Sequence, residues 1–198
     1  MSPTPDTSRL RAAPLVLTAM ILVAALTRLL PHPPNFAPME AMALFGGAWF
    51  AARRWALITP LLAMAISDLV LAGMLGGLYS QHLLSLDHAL VYASIVVITL
   101  LGFGLRARVG ATRVLAYALT GSLLFFLITN FGAWLSSGLY PANPAGLLAA
   151  YLAGIPFFQW TVLGTLFYAG LLFGGFELLR QHPPAWLAAD PGVATRHG

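Results

Sequence analysis

RLLPHPPNFAPMEAMALFGG, residues 28–47, sets four prolines, an arginine, a histidine, an asparagine and a glutamate between two apolar runs. Proline lacks the amide proton that a helix interior needs and disfavours helical backbone in the residue before it. The cluster therefore ends one helix and, with Pro38 at a first-turn position, starts another. What surrounds the stretch decides the class. Hydrophobic residues make up 59% of the 198-residue chain and charged residues only 8%, whereas a soluble domain carries roughly a quarter charged residues. The solvent for this surface is lipid.

Segments of about twenty apolar residues, the length that crosses a hydrocarbon core of about 30 Å, fall at roughly 13–30, 38–52, 55–75, 87–105, 112–134 and 147–179. The sequence thus predicts an all-α integral membrane protein, one transmembrane domain over residues 1–198 with six transmembrane helices and short polar tails. The sixth segment is too long for one straight span, and Pro156 predicts a kink or break near its start. The second is short and could tilt or stop within the bilayer. A signal peptide is the competing reading of the N-terminus, but the apolar run ends in Arg28 and prolines instead of a small-residue cleavage site.

All ten basic residues are arginine. Six spans put Arg9, Arg11, Arg53, Arg54, Arg106, Arg108, Arg113, Arg180 and Arg196 on one side and Arg28 alone on the other, so the positive-inside rule places both termini in the cytoplasm. The arginines form no stripe, and nucleic acid is not implied as a partner. Cysteine is absent, which excludes disulfides and thiolate metal sites.

The opposite, outer half gathers the polar and aromatic residues. Candidates for a ligand site there are His32, Asn35, Asp68, Tyr79, Ser80, His82, His88, Asn130, Trp134, Tyr140 and Tyr151, a mixture of amides, imidazoles and aromatic planes suited to a partly polar ligand. Arg28, Glu40, Asp87, Asn143, Gln159 and Trp160 fall in the same half. Simpler roles stand beside these. Trp134, Tyr140 and Tyr151 suit an interfacial aromatic belt, Glu40 the positive end of helix 2, and Asp87 the N-cap of helix 4; His82 and His88 suit a solvated loop and helix start. Asp68 is the hardest to set aside. It falls deep in "LLAMAISDLVLAG", where a carboxylate costs at least about 2.5 kcal/mol unless it meets a cavity or a partner. A pocket wall, or pairing with Arg28, would each meet that need. Small residues on helix 2, Ala43, Gly47 and Ala51 with Ala48, Ala52 and Ala56 beside them, mark close helix packing or a docking face for another subunit.

The Pro-rich entry to helix 2 ("PHPPNFAPMEAMALFGG"), the acid late in helix 3 ("AISDLVLAG") and the exit from helix 5 ("TNFGAWLSSGLYP") together resemble the substrate-binding S-components of energy-coupling factor transporters, most closely the solitary vitamin B12 transporters. The resemblance implies a multi-pass protein of the bacterial inner membrane that takes cobalamin or another small vitamin from outside and delivers it inward. It implies no intrinsic cofactor, and no nucleotide site of its own; no GxxxxGK[ST] motif is present. Some members of the vitamin B12 group contact the corrin cobalt with a cysteine. The corresponding loop here, "GGLYSQH", has Ser80, a poor cobalt ligand, so either a histidine takes that position, with His32 first, then His82, and His88 behind them, or cobalt keeps its own ligand, or the substrate differs. S-components that share an energising module generally carry an Ala-xxx-Ala face on helix 1. "APLVLTAMILVAALTRLL" lacks a clear one, which fits a solitary transporter better than one coupled to an ATPase module. Two other classes remain open from the residues: an intramembrane enzyme using His32, His82 or His88 with Asp68, and a non-transporting assembly subunit.

Overall fold

The computed structural model describes residues 13–185 and 187. Arg9, Arg11 and Arg196 lie outside the described residues. The elements are α1 (Ala13–Leu26), α2 (Met39–Trp49), α3 (Arg53–Leu75), α4 (Gly77–Leu83), α5 (Leu86–Gly102), α6 (Ala111–Ser136), α7 (Pro144–Ala169) and α8 (Gly175–Gln181). Tight 3-10 turns extend α1 over Thr27–Leu29 and α5 over Phe103–Leu105, and a π turn at Gly170–Gly174 joins α7 to α8. There is no strand among the described residues. Four helical segments, Arg53–Leu75, Leu86–Leu105, Ala111–Ser136 and Pro144–Gln181, are long and apolar enough to cross a membrane, and Ala13–Leu29 is a shorter apolar helix.

Side-chain contacts fix how the chain runs. Arg28, at the end of the first segment, pairs with Asp68 late in α3, so those two segments end side by side and the chain between them has to return along the bundle. That return is α2. Its length of about 16 Å, at 1.5 Å per residue, is about half the thickness of a hydrocarbon core. Every residue from Glu40 to Phe50 is buried, as an all-round apolar helix must be. The core centres on this helix. Phe45 takes Phe173 and Phe176 edge-on at ring distances of 5.3 and 5.7 Å, and Leu17, Ile21, Met64, Ile95 and Ile98 close around it without exposure beyond 1%. Exposed Leu62 and Leu69 on α3, Leu119 and Leu123 on α6, and Leu148 and Leu152 on α7 form the outer apolar surface, the inverse of a water-soluble bundle.

The small residues of helix 2 serve this internal packing. A Cβ added at Gly47 would overlap the Thr99 carbonyl, and one at Gly102 would lie 2.7 Å from the Leu44 carbonyl, so the α2 and α5 backbones are in contact. Ala43, Ala48 and Ala56 are fully buried, while Ala51 and Ala52 beyond the helix end are exposed. At the far end of α2, Arg106 donates to the carbonyls of Gly47, Phe50 and Ala51 at 2.8, 2.7 and 3.3 Å and stacks on Phe103 with 4.3 Å to the ring centre. These are carbonyls that a helix C-terminus leaves unpaired, and a guanidinium fork can reach several of them at once. Arg180 sits over Trp49 and Arg53 over Phe103, while Arg113 donates to the Gly104 carbonyl. Arg106 and Arg180 thus meet the C-terminal end of α2, and Arg53 shares the Phe103 ring with Arg106.

Three sequence expectations are corrected. Helix 2 stops at Trp49 instead of residue 52, because Phe50 turns to extended backbone and Arg106 closes the end. The expected break at Pro156 is absent: α7 runs through it, and the irregularity is the π turn in the glycine-rich GLLFG stretch. Asp87 is not a cap; Ser85 is, accepting from the His88 amide at 3.1 Å. The loop after α3 also contains an unforeseen short helix, α4.

Candidate functional site

A cavity of about 390 Å³ lies where α4, α5, α6, α7 and the residues before α2 converge, lined by Arg28, Asn35, Tyr79, His82, Asp87, His88, Thr129 and Asn130 among apolar Met39, Met64, Val91, Phe125 and Phe157. Five of the residues singled out from the sequence, Asn35, Tyr79, His82, His88 and Asn130, meet there. Asn35 reaches it from a left-handed backbone conformation, φ 64°, which asparagine tolerates better than most residues.

Behind this wall stands Asp68, 2% exposed. Its Oδ1 takes Arg28 at 2.8 Å and the Tyr79 hydroxyl at 3.1 Å, and its Oδ2 takes the Tyr92 hydroxyl at 2.8 Å and His88 Nε2 at 3.0 Å. A carboxylate accepts only, so His88 Nε2 is the donor. Arg28 also donates to the Ser67 hydroxyl. Burial, and then the neighbouring Asp68 carboxylate, push the Tyr79 phenol above its usual range, so Tyr79 stays a donor. The carboxylate ties together the end of the first helical segment, α3, α4 and α5. It does not line the cavity, but three of its four partners do, and it fixes their positions. With both oxygens taken, Asp68 has no capacity left for acid–base work on a substrate.

The imidazoles continue as a stack: His82 lies 5.2 Å from His88 and His88 5.2 Å from Tyr92, both edge-on. On the far wall, Asn130 donates to the Phe126 carbonyl at 2.9 Å, and its Oδ1 occupies the space a side chain at Gly154 would need.

The remaining sequence candidates lie elsewhere. His32 is exposed and donates from Nδ1 to its neighbour's carbonyl, Pro33, at 2.9 Å. Ser80 is exposed on α4 and bonds back to the Gly76 carbonyl. Trp134 Nε1 donates to the Pro141 carbonyl at 2.9 Å, and Tyr151 donates to the Leu127 carbonyl at 3.0 Å and lies against Phe126. Tyr140 is half-buried in the turn after α6. None of these five is in the lining. Arg28, Asp87, Tyr92 and Thr129 are not among the site residues that the sequence predicts. Tyr92 could have been found from its place one helical turn beyond His88, on the same face of α5.

The Pro-rich stretch that opens α2 is held down by α7. Phe36 packs on Phe167 and Tyr168 at 5.7 and 5.9 Å, and Gly164 lets its backbone approach, since a Cβ there would lie 2.9 Å from the Ala37 nitrogen. Glu40 follows, 1% exposed; among the described residues its Oε2 and the buried Thr165 hydroxyl on α7 have no hydrogen-bond partner. It is not in the cavity lining.

A second cavity, about 410 Å³, lies beyond Trp49, at the other end of α2, about 15 Å from Met39 along that helix. Its lining is apolar apart from Glu177, which is paired with Arg180 at 3.0 Å. Its polar groups are few: Glu177 and the buried Nε1 of Trp49, which has no hydrogen-bond partner among the described residues. Among the described residues no three His, Cys, Asp or Glu come together as a metal site. Comparison with curated proteins and with solved structures gave no match. A family model matches over most of the length: the chain belongs to DUF6580, a family of unknown function, through residues 8–186.

Proposed function

We propose that the chain is a six-span protein of the bacterial cytoplasmic membrane, both termini inside, that captures a small amphipathic nutrient in the outer cavity and passes it inward, in the manner of an S-component. The second crossing is made by α2 together with the non-helical residues before it, which is tolerated where such backbone is buried in protein or lines a cavity. The single observation that carries the reading is the 390 Å³ cavity: it lies within the size range of small-molecule sites and combines apolar walls with a few convergent polar groups. The Asp68 network holds those groups in place before a ligand arrives, which lowers the entropy lost on binding. An intramembrane His/Asp enzyme is disfavoured by the saturation of Asp68.

The ligand class is a water-soluble vitamin or precursor of one or two rings. Cobalamin, which the vitamin B12 likeness implies, is larger than this cavity and would require the outer loops to part. Of the three candidate histidines, His82 and His88 line the cavity; His88 Nε2 is held by Asp68, so we assign the cobalt contact to His82, and not to His32 or Ser80. Transport by the chain alone fits the helix 1 sequence better than an energising module does.

The test uses the absence of native cysteine. Ala133→Cys puts a thiol in the cavity wall, and its reaction with a membrane-impermeant maleimide is followed in vesicles while vitamins, their precursors and cobalamin are offered in turn. Protection by one small compound supports the reading. Protection by cobalamin alone replaces the substrate class, and protection by none removes the reading.

A further inference from the structure

The charges around the outer cavity do not cancel. Arg28 is the one arginine in the lining and is matched by Asp68 at 2.8 Å. Asp87 is the one carboxylate in the lining, and among the described residues no ion pair or hydrogen bond engages it. With histidines counted as neutral, the cavity is left with one net negative charge, on Asp87. This carboxylate does not cap α5, a task Ser85 performs. It is brought against α6 at Gly132, where a Cβ would lie 3.0 Å from Oδ1. The nearby α5 amides offset part of its charge through the helix dipole, equivalent to about half a unit, and the rest is available to a ligand.

Three of the neighbouring donors are engaged elsewhere, while Asn35 and His82 also line the cavity. The Tyr79 hydroxyl is committed to Asp68, the Thr129 hydroxyl to the Phe125 carbonyl at 2.9 Å, and an Asn130 amide proton to the Phe126 carbonyl. Phe125 and Phe157 add aromatic rings to the lining, surfaces that attract a cation through the ring quadrupole. We propose that the ligand of this cavity carries a positive charge, an ammonium or amidinium group, received by Asp87, with its apolar body against Phe125, Phe157 and Val91. The proposal rests on the ligand-binding reading above and assigns the substrate class within it.

Three probes of one shape and different charge test it: benzamidine, benzamide and benzoate, offered to the full-length Ala133→Cys protein in lipid nanodiscs, with protection from maleimide as the readout. Benzamidine should protect at concentrations at least about tenfold below the other two, the size of one charge-assisted hydrogen bond. Asp87→Asn should abolish that preference by weakening benzamidine protection to the level of benzamide, and Asp87→Glu should retain it. Equal protection by all three, preference for benzoate, or a benzamidine preference that survives Asp87→Asn overturns the cationic class and leaves the cavity as a binding site. If none of the three protects while a vitamin does, the cationic class alone falls. If nothing protects at all, the binding reading falls and takes this inference with it. Thermal unfolding of each variant shows that it is folded when tested.

Discussion

Asp68 and Arg28 meet at 2.8 Å, forty residues apart in sequence, and their contact places the end of the first helical segment beside the end of α3. Because the Asp68 carboxylate also takes Tyr79, Tyr92 and His88, replacing it by the nearly isosteric asparagine is not conservative. An amide supplies a donor where two donors already point and leaves the Arg28 charge uncompensated. Asp68→Asn is expected to destabilise the protein by about 3 kcal/mol, seen as a lower unfolding midpoint of the purified protein. The double variant Asp68→Leu with Arg28→Leu should cost less than the sum of the single changes, since removing both charges leaves neither unpaired.

The α2–α5 crossing predicts opposite outcomes for two glycine substitutions. Gly47→Ala forces a methyl group into the Thr99 carbonyl and should cost about 1–3 kcal/mol by overpacking. Gly73→Ala, in α3 with nothing within 4 Å of its Cβ position, should be neutral or gain about 0.5–1 kcal/mol. Thermal melts of the two proteins side by side check both.

Arg106 closes the end of α2 through three carbonyls. Lysine keeps the charge but is a point donor without the planar fork, so Arg106→Lys should lower stability by about 1–3 kcal/mol even though the number of basic residues at that end is unchanged. Equal stability would mean that charge alone is what this position requires.

The lengths and positions of the helices were largely legible because apolar runs of this length have few alternatives. Other features were not. Asn143 and Pro144 are a cap and first-turn pair, with Asn143 Oδ1 accepting from the Gly146 amide at 2.9 Å, a start signal three residues ahead of the apolar run that predicts a beginning at 147. The helix α4, GLYSQHL, is too short to show a period, and the Gly76–Gly77 pair at its start reads as a turn. Pro156 looked like a breaker, yet membrane helices re-satisfy the freed carbonyl from their surroundings. For the site, Asp68 with Arg28 was readable as the pairing that an intramembrane carboxylate needs. The partners Tyr79, His88 and Tyr92 depend on the register of α3, α4 and α5, which no local pattern encodes, and His32 was favoured for its rigid surroundings although rigidity says nothing about direction.

Orientation is checked with single cysteines at exposed positions. Gln81→Cys and Ser137→Cys should react with an impermeant maleimide added to intact cells, and Arg54→Cys and Arg108→Cys should react only after the membrane is opened. The reverse pattern would put the polar cavity inside and contradict capture from the exterior.

The central claim, that the outer cavity holds one small ligand, is tested most directly by native mass spectrometry of the purified full-length protein after incubation with a low-mass metabolite extract. The account predicts a single one-to-one adduct that is lost in Ala133→Trp, a substitution that fills the cavity from its α6 wall without touching the Asp68 network. No adduct with the unaltered chain, or one that persists undiminished in Ala133→Trp, would contradict it.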